Sequence, residues 1–144
     1  MGVAGVVVQA LMLVEARRRQ VEAQIDTRGV PDDLQVRADP QRLEQVLVNL
    51  LLNALDAVAD SAQRRVNVTT CRVDGRVRIV VRDSGSGIEA ATLPHLFEPF
   101  FTTKSVGQGL GLAISRMIAS ELGGSLDARN GDGGAEFTLE LEKA

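Results

Sequence analysis

Apolar residues recur at helical spacing in three segments of the chain. The strongest series lies near the middle, and its steps of three and four residues form one wide apolar stripe: Leu43, Val46, Leu47, Leu50, Leu51, Ala54, Leu55 and Val58. Asp39 and Pro40 precede this series, and the pair is suited to the N-cap and first position of a helix. Weaker series predict a first helix over residues 4–20 and a last helix over 110–122, which a glycine pair ends.

Alternating apolar and polar residues predict strands elsewhere. Residues 66–73 and 76–81 alternate on either side of Asp74 and Gly75, a dipeptide typical of a tight hairpin turn. The other predicted extended segments are 21–25, 34–36, 125–128 and 135–141. These patterns predict an α+β fold, a two-layer α/β sandwich in which three helices cover one face of a mixed sheet of about five strands.

Composition favours one domain without general affinity for nucleic acid. The chain has 144 residues, 44% of them hydrophobic, which is enough for one core but not two. Its formal net charge is -3, and we interpret the basic run Arg17 to Arg19 as a solvated helix face. The apolar segment 1–14 is too short to cross a bilayer and has no basic leader, so we expect no membrane insertion of this chain.

Two asparagines lie four residues apart on the predicted central helix, at the margin of its apolar stripe. Asn49 and Asn53 therefore project from one side of that helix. An amide oxygen is a hard ligand suited to Mg²⁺, which in nucleotide sites takes one or two protein oxygens plus phosphates and water. Taken alone, such a pair is also compatible with asparagines that only bond nearby backbone.

A glycine-containing segment, 83–87, follows the second predicted strand. Gly85 and Gly87 would let the backbone approach a flat ligand, and the Asp83 carboxylate can accept a hydrogen bond from an exocyclic amine. An ordinary Asp-Gly turn would have the same sequence. The segment is not a dinucleotide-binding Rossmann fingerprint, because it opens no long helix.

A second glycine cluster, 107–111, lies where the long loop after residue 83 meets the last predicted helix. Unpaired N–H groups at a helix start can bind phosphate, and Lys104 lies just upstream. The Gly-Lys-Ser/Thr ending of a Walker A loop is absent, so a phosphate site here would have another design. The glycines alone are equally compatible with a plain helix entry.

Together and in this order, the segments resemble the GHKL superfamily of ATPases and kinases, whose N, G1 and G2 boxes build one ATP site on the Bergerat fold. The N box corresponds to 45–54, the G1 box to 83–87 and the G2 box to 107–112, while 96–104 resembles the F box and ATP lid of histidine kinases. The resemblance covers about residues 4–142. It is strongest to sensors of the nitrogen-regulation and four-carbon dicarboxylate transport type.

The resemblance implies a Mg-ATP site in which Asn53 holds Mg²⁺ and Asp83 binds the adenine amine. It assigns catalysis to Asn49, Asn53 and Lys104. It also implies that the nucleotide contacts Asn49, Asn53, Asp83, Gly85, Gly87, Ile88, Lys104, Gly107, Gly109, Leu110, Gly111 and Thr138.

The ATP lid is expected over residues 92–109. Its first half would be anchored by its large apolar residues, which are Leu93, Leu96, Phe97, Phe100 and Phe101. Residues 102–109 offer little burial, so we expect them to order when Mg-ATP binds.

One position departs from the family pattern. Many histidine kinases carry a cation three residues after the second asparagine, whereas this chain has Asp56. Lys104 is then the best candidate to compensate phosphate charge. Asp56 would either help to hold the ion through Mg²⁺-bound water or be a solvated helix residue.

The residue at position 49 selects among the GHKL activities. ATP-hydrolysing relatives have a glutamate base four residues before the metal-binding asparagine, but Asn49 cannot accept a proton at neutral pH. This favours transfer to a histidine, whose neutral imidazole needs only alignment and charge screening. The only histidine, His95, lies beside the lid and is interpreted as structural or exposed.

We therefore expect residues 1–144 to be one catalytic domain that binds ATP without autophosphorylating. The expected partners are the dimerisation and phosphoacceptor domain of the same kinase and, through the full-length protein, a response regulator. The expected location is cytoplasmic, and the parent protein could be an inner-membrane receptor. A nucleotide-sensing module or a pure interaction domain would be the alternatives.

Overall fold

The computed structural model describes residues 2–100 and 110–144, and in these residues three helices lie on one face of a five-stranded sheet. The helices are α1 (Val3–Val21), α2 (Pro40–Val58) and α3 (Gly111–Glu121). The strands are β1 (Gln24–Gly29), β2 (Arg65–Val73), β3 (Arg76–Asp83), β4 (Ser125–Gly131) and β5 (Gly134–Glu142). The predicted two-layer sandwich is confirmed.

The sheet is mixed, with strand order β1-β2-β3-β5-β4. Strand β1 pairs parallel with β2, and all other neighbours are antiparallel. Asp74 and Gly75 join β2 to β3 with φ angles of 49° and 78°, as a tight hairpin turn requires. Strand β3 is the central strand of the five, between β2 and β5.

Alternate residues of the central strands form the core with the helices. Ile79, Val81, Phe137 and Leu139 are buried in a single cluster that also contains the apolar stripe of α2. The stripe residues face the sheet as predicted, and Asp39 caps α2 by accepting a hydrogen bond from the Gln41 N–H at 2.9 Å. No helix of the described residues has the length and apolar character needed to span a bilayer.

The opposite, open face of the sheet carries charged side chains in cross-strand pairs. Arg78 donates to Glu140 at 2.9 Å. Glu136 is buried between Arg82 and Arg129, whose Nε atoms lie 2.8 and 2.6 Å from its carboxylate oxygens. Burial alone would raise the pKa of Glu136, but these two guanidiniums outweigh it and lower the pKa.

The predicted start of the first strand is wrong. Helix α1 continues to Val21, and Glu22 ends it in a left-handed conformation, so β1 starts at Gln24 instead of residue 21. The predicted short extended segment 34–36 forms two isolated β-bridges, through Gln35 and Val36. The chain enters the sheet later than predicted because Val21 still packs into the core as a helix residue.

Candidate nucleotide-binding site

Asp83 ends β3 as a buried carboxylate with 3% exposure. Its Oδ1 atom accepts hydrogen bonds from the Gly85 N–H at 2.9 Å and the Ala135 N–H at 3.3 Å. Its Oδ2 atom is buried and has no hydrogen-bond partner in the described part of the chain. Burial raises the pKa of Asp83 despite the two backbone donors. Oδ2 is thus a buried acceptor available to an incoming donor.

Glycines allow the backbone to close tightly around Asp83. A Cβ atom at Gly85 would lie 2.5 Å from the Ala57 carbonyl oxygen at the end of α2. A Cβ atom at Gly134 would overlap the Asp83 carbonyl oxygen. Helix α2 and the β4–β5 hairpin therefore both press against segment 83–88, which we call the G1 loop.

Asn130, at the end of β4, contacts the far end of the G1 loop. The Ile88 N–H donates to its Oδ1 atom at 2.7 Å, and its Nδ2 atom donates to the Ile88 carbonyl at 2.7 Å. Gly87 has a φ of 86° and would bring a Cβ atom to 2.9 Å from the Asn130 Oδ1 atom. Asn130 could not be recognised from the sequence, because the glycine-containing segment 131–134 that follows it indicates only a turn.

Asn49 connects α2 to the start of α3. Its amide Nδ2 atom donates to the hydroxyl of buried Ser115 at 3.1 Å and to the Gly111 carbonyl at 3.3 Å. Among the described residues, no side chain caps the start of α3 at Leu110 and Gly111, and no acid lies in its first turn. The first N–H groups of α3 thus point out from a helix end that Asn49 holds beside α2, as an anion site needs.

Asn53 follows one turn after Asn49 on α2 and is half-buried at the edge of the stripe, as predicted. In the described residues no group of three or more His, Cys, Asp or Glu side chains is placed to hold a metal. A single amide oxygen fits Mg²⁺ only where phosphates and water complete the shell. The donor set therefore fits a cation that enters together with a nucleotide.

Asp56 is ion-paired with α1. Its Oδ1 atom accepts from Arg17 Nε at 3.0 Å and from Arg17 Nη2 at 2.8 Å, with both side chains about one-third exposed. Arg17 is therefore not part of a freely solvated helix face, and Asp56 is not a simple solvated helix residue.

The first part of the predicted lid, 92–100, is described and packs partly on the core. Leu96 and Phe97 pack against it, and the Phe97 ring meets Phe137 edge-on at a centroid distance of 6.3 Å. Phe100 is 73% exposed, so its predicted role as an anchor is wrong. His95 is half-exposed, with Nδ1 3.0 Å from Glu98 Oε1. Lys104, Gly107, Gly109 and the rest of 101–109 lie outside the described residues.

Thr138 does not join the other candidate residues. It pairs with Val80 and Asp127 on the open face of the sheet, whereas its neighbours Phe137 and Leu139 face the helices. The alternation of side chains along β5 thus corrects its assignment as a nucleotide contact. The backbone of Gly134 and Ala135, not Thr138, is the part of β5 that reaches Asp83.

Fold and site together define a nucleotide-binding domain of the two-layer α/β type. The family model described as "Histidine kinase-, DNA gyrase B-, and HSP90-like ATPase" matches residues 38–144. The chain belongs to this family.

Relatives within the family are sensor histidine kinases. The C4-dicarboxylate transport sensor protein DctB of Rhizobium meliloti is 42% identical over 139 residues, which are 96% of this chain and 22% of DctB. The chain thus spans about a fifth of that relative's length.

Solved structures agree with this relationship. The catalytic domain of histidine kinase ThkA has a TM-score of 0.86 and 33% identity, covering 99% of this chain and 93% of that one, and ThkA has also been solved with the response regulator protein TrrA. Full-length ShkA in complex with AMPPNP has a TM-score of 0.82 and 30% identity, covering 100% of this chain and 31% of ShkA. This chain is thus similar to the catalytic, ATP-binding module of such kinases.

Proposed function

We propose that the site binds Mg-ATP and that its γ-phosphate is transferred to a histidine on a separate dimerisation and phosphoacceptor helix. The observation that supports the proposal is the buried Asp83 Oδ2 atom, which has no partner in the described residues and would accept a hydrogen bond from an adenine amine. An unpaired buried acceptor lowers the stability of the fold, and a ligand donor that pairs with it would recover part of this free energy.

Asn53 would supply the protein oxygen for Mg²⁺, and the start of α3 at Leu110 and Gly111 would face the phosphates. The bound ion would screen the phosphate charge during transfer. Lys104 is proposed as the lid cation, and Gly107 and Gly109 as phosphate-binding backbone. Asn49 would hold α3 in place rather than abstract a proton, because its amide already donates to Gly111 and Ser115.

Outside this chain, the partners would be the phosphoacceptor helices of the same kinase and a response regulator. This proposal rests on the sensor kinases to which the chain is similar. The domain would work in the cytoplasm, where ATP is available, attached to a parent sensor.

Calorimetry with Mg-ATP tests the binding step, and labelled ATP with a supplied histidine-containing acceptor fragment tests transfer. We expect saturable binding and acid-labile label on the acceptor. Binding without transfer to any acceptor would identify a nucleotide-sensing module, and no binding would identify an interaction domain.

A further inference from the structure

Both ends of the G1 loop are hydrogen-bonded to one cross-strand residue pair of the β4–β5 hairpin. In the register of these strands Asn130 lies opposite Ala135. Ala135 donates its N–H to Asp83 at the beginning of the loop, and Asn130 binds Ile88 at its end. A single cross-strand pair therefore fixes the two ends of a six-residue segment that approaches from a different part of the chain.

The contact between Asn130 and Ile88 needs an amide side chain. Asn130 accepts from the Ile88 N–H and donates to the Ile88 carbonyl, both at 2.7 Å, so it satisfies both backbone polar groups of one residue. A carboxylate could make only the first bond and would face the carbonyl oxygen with its second oxygen. Gly87 completes the contact, because a larger residue there would collide with the Asn130 Oδ1 atom.

We infer that Asn130 is a positioning residue for adenine recognition, which holds the G1 loop in the conformation that presents Asp83 Oδ2 to the base. The inference rests on the proposed function. Without the Asn130 bonds, the loop end at Ile88 would keep, among the described residues, the packing of its partly buried side chain against the core. The competent loop conformation would then be a smaller fraction of the population, and apparent affinity would fall by that fraction.

The test measures binding of adenosine, ADP and Mg-ATP to the full 144-residue chain by calorimetry. Asn130→Ala and the isosteric Asn130→Asp should each weaken all three ligands by a similar factor, on the order of tenfold. The ratio of ATP affinities with and without Mg²⁺ should stay at the parent value, because the change acts through the base. Asn67→Ala, which replaces an exposed asparagine on the open sheet face, is the matched control and should bind normally.

Hydrogen exchange at the Ile88 amide gives a second readout that a general loss of stability would not reproduce. Exchange at Ile88 should quicken in Asn130→Ala, which removes the acceptor of that N–H, while amides in the centre of β3 keep parent rates. Parent-like affinity in either folded variant, or a loss confined to ATP, would overturn the inference. If the parent itself binds none of the three ligands, the proposed function fails instead, so the two failures are distinguishable.

Discussion

Asp83 combines a structural cost with a proposed binding role. Its Oδ2 atom is buried without a partner in the described residues, and burial raises the pKa of the carboxyl group. Its Oδ1 atom is already engaged by Gly85 and Ala135. The one carboxylate therefore binds two backbone N–H groups beside the G1 loop with one oxygen and keeps the other oxygen unpaired within the described residues, as the proposed adenine contact requires.

Replacing Asp83 by asparagine should alter base selectivity. The amide introduced by Asp83→Asn would keep an oxygen for the two backbone donors, but it would present an N–H₂ group where Oδ2 stood. We expect this variant to bind ATP roughly 10- to 100-fold more weakly, which corresponds to the loss of a hydrogen bond to a charged group. GTP should lose less, since the new donor suits a guanine carbonyl. Competition titrations with ATP and GTP check this, and an unchanged ATP to GTP ratio would refute the adenine assignment.

The raised pKa of Asp83 also predicts the direction of pH effects. The folded protein holds a proton on Asp83 at pH values where the unfolded chain has lost it, so this group makes folding less favourable as pH rises through the ordinary aspartate range to the raised pKa. Nucleotide binding needs the ionised form, so ATP affinity should rise with pH over the same window and then level off. Titrations from acid to neutral pH measure this, and Asp83→Asn should lack that component.

Asn53 is expected to contribute to metal-dependent binding only. Asn53→Ala removes the amide oxygen at the edge of the α2 stripe while leaving its core residues in place. Mg-ATP affinity should fall to about the level seen without Mg²⁺, whereas adenosine affinity and thermal stability should change little. Calorimetry with and without EDTA measures the difference. Mg-dependent binding equal to that of the parent would show that another group holds the ion.

At the scale of elements, the site depends on how α3 is attached to α2. Asn49 donates to Ser115 and Gly111, two positions of the first turns of α3. The Asn49→Asp substitution keeps the size but removes both donors and places an oxygen against the Gly111 carbonyl. It should lower the free energy of unfolding by about 0.5–1.5 kcal/mol, the net contribution of a typical hydrogen bond, because the bond to Ser115 is only part-buried and the bond to Gly111 is exposed. Urea unfolding measures this loss.

Ser115→Ala is the companion variant. It removes one acceptor and leaves the Asn49 bond to Gly111, so it should be milder than Asn49→Asp. Equal stability of parent and Asn49→Asp would mean that α3 is held by apolar packing alone.

The elements that can be predicted from sequence are those with strong periodicity. The α2 stripe, its Asp39 cap and the Asp74-Gly75 hairpin all follow from local patterns that have one physical solution. The contact of Asn130 with Ile88 and the Arg17–Asp56 pair could not be predicted, because they join residues 42 and 39 positions apart. The family resemblance placed Thr138 at the nucleotide, whereas the alternation along β5 assigns it to the open sheet face.

At the scale of the whole molecule, a bound nucleotide would contact several elements at once and so stabilise the folded domain. A nucleotide that contacts Asp83, Asn53 and the start of α3 would connect β3, α2 and α3, which already share one core with β5. Since the ligand binds only the folded form, Mg-ATP at 100 times its dissociation constant should add about 2.7 kcal/mol to the free energy of unfolding. Because Asn49 offers no base, the nucleotide should remain largely intact during the measurement. Denaturant unfolding at graded Mg-ATP concentrations, with phosphate release followed in parallel, tests both points. Rapid ATP hydrolysis by the chain alone would show that some other group activates water and that the kinase assignment needs revision.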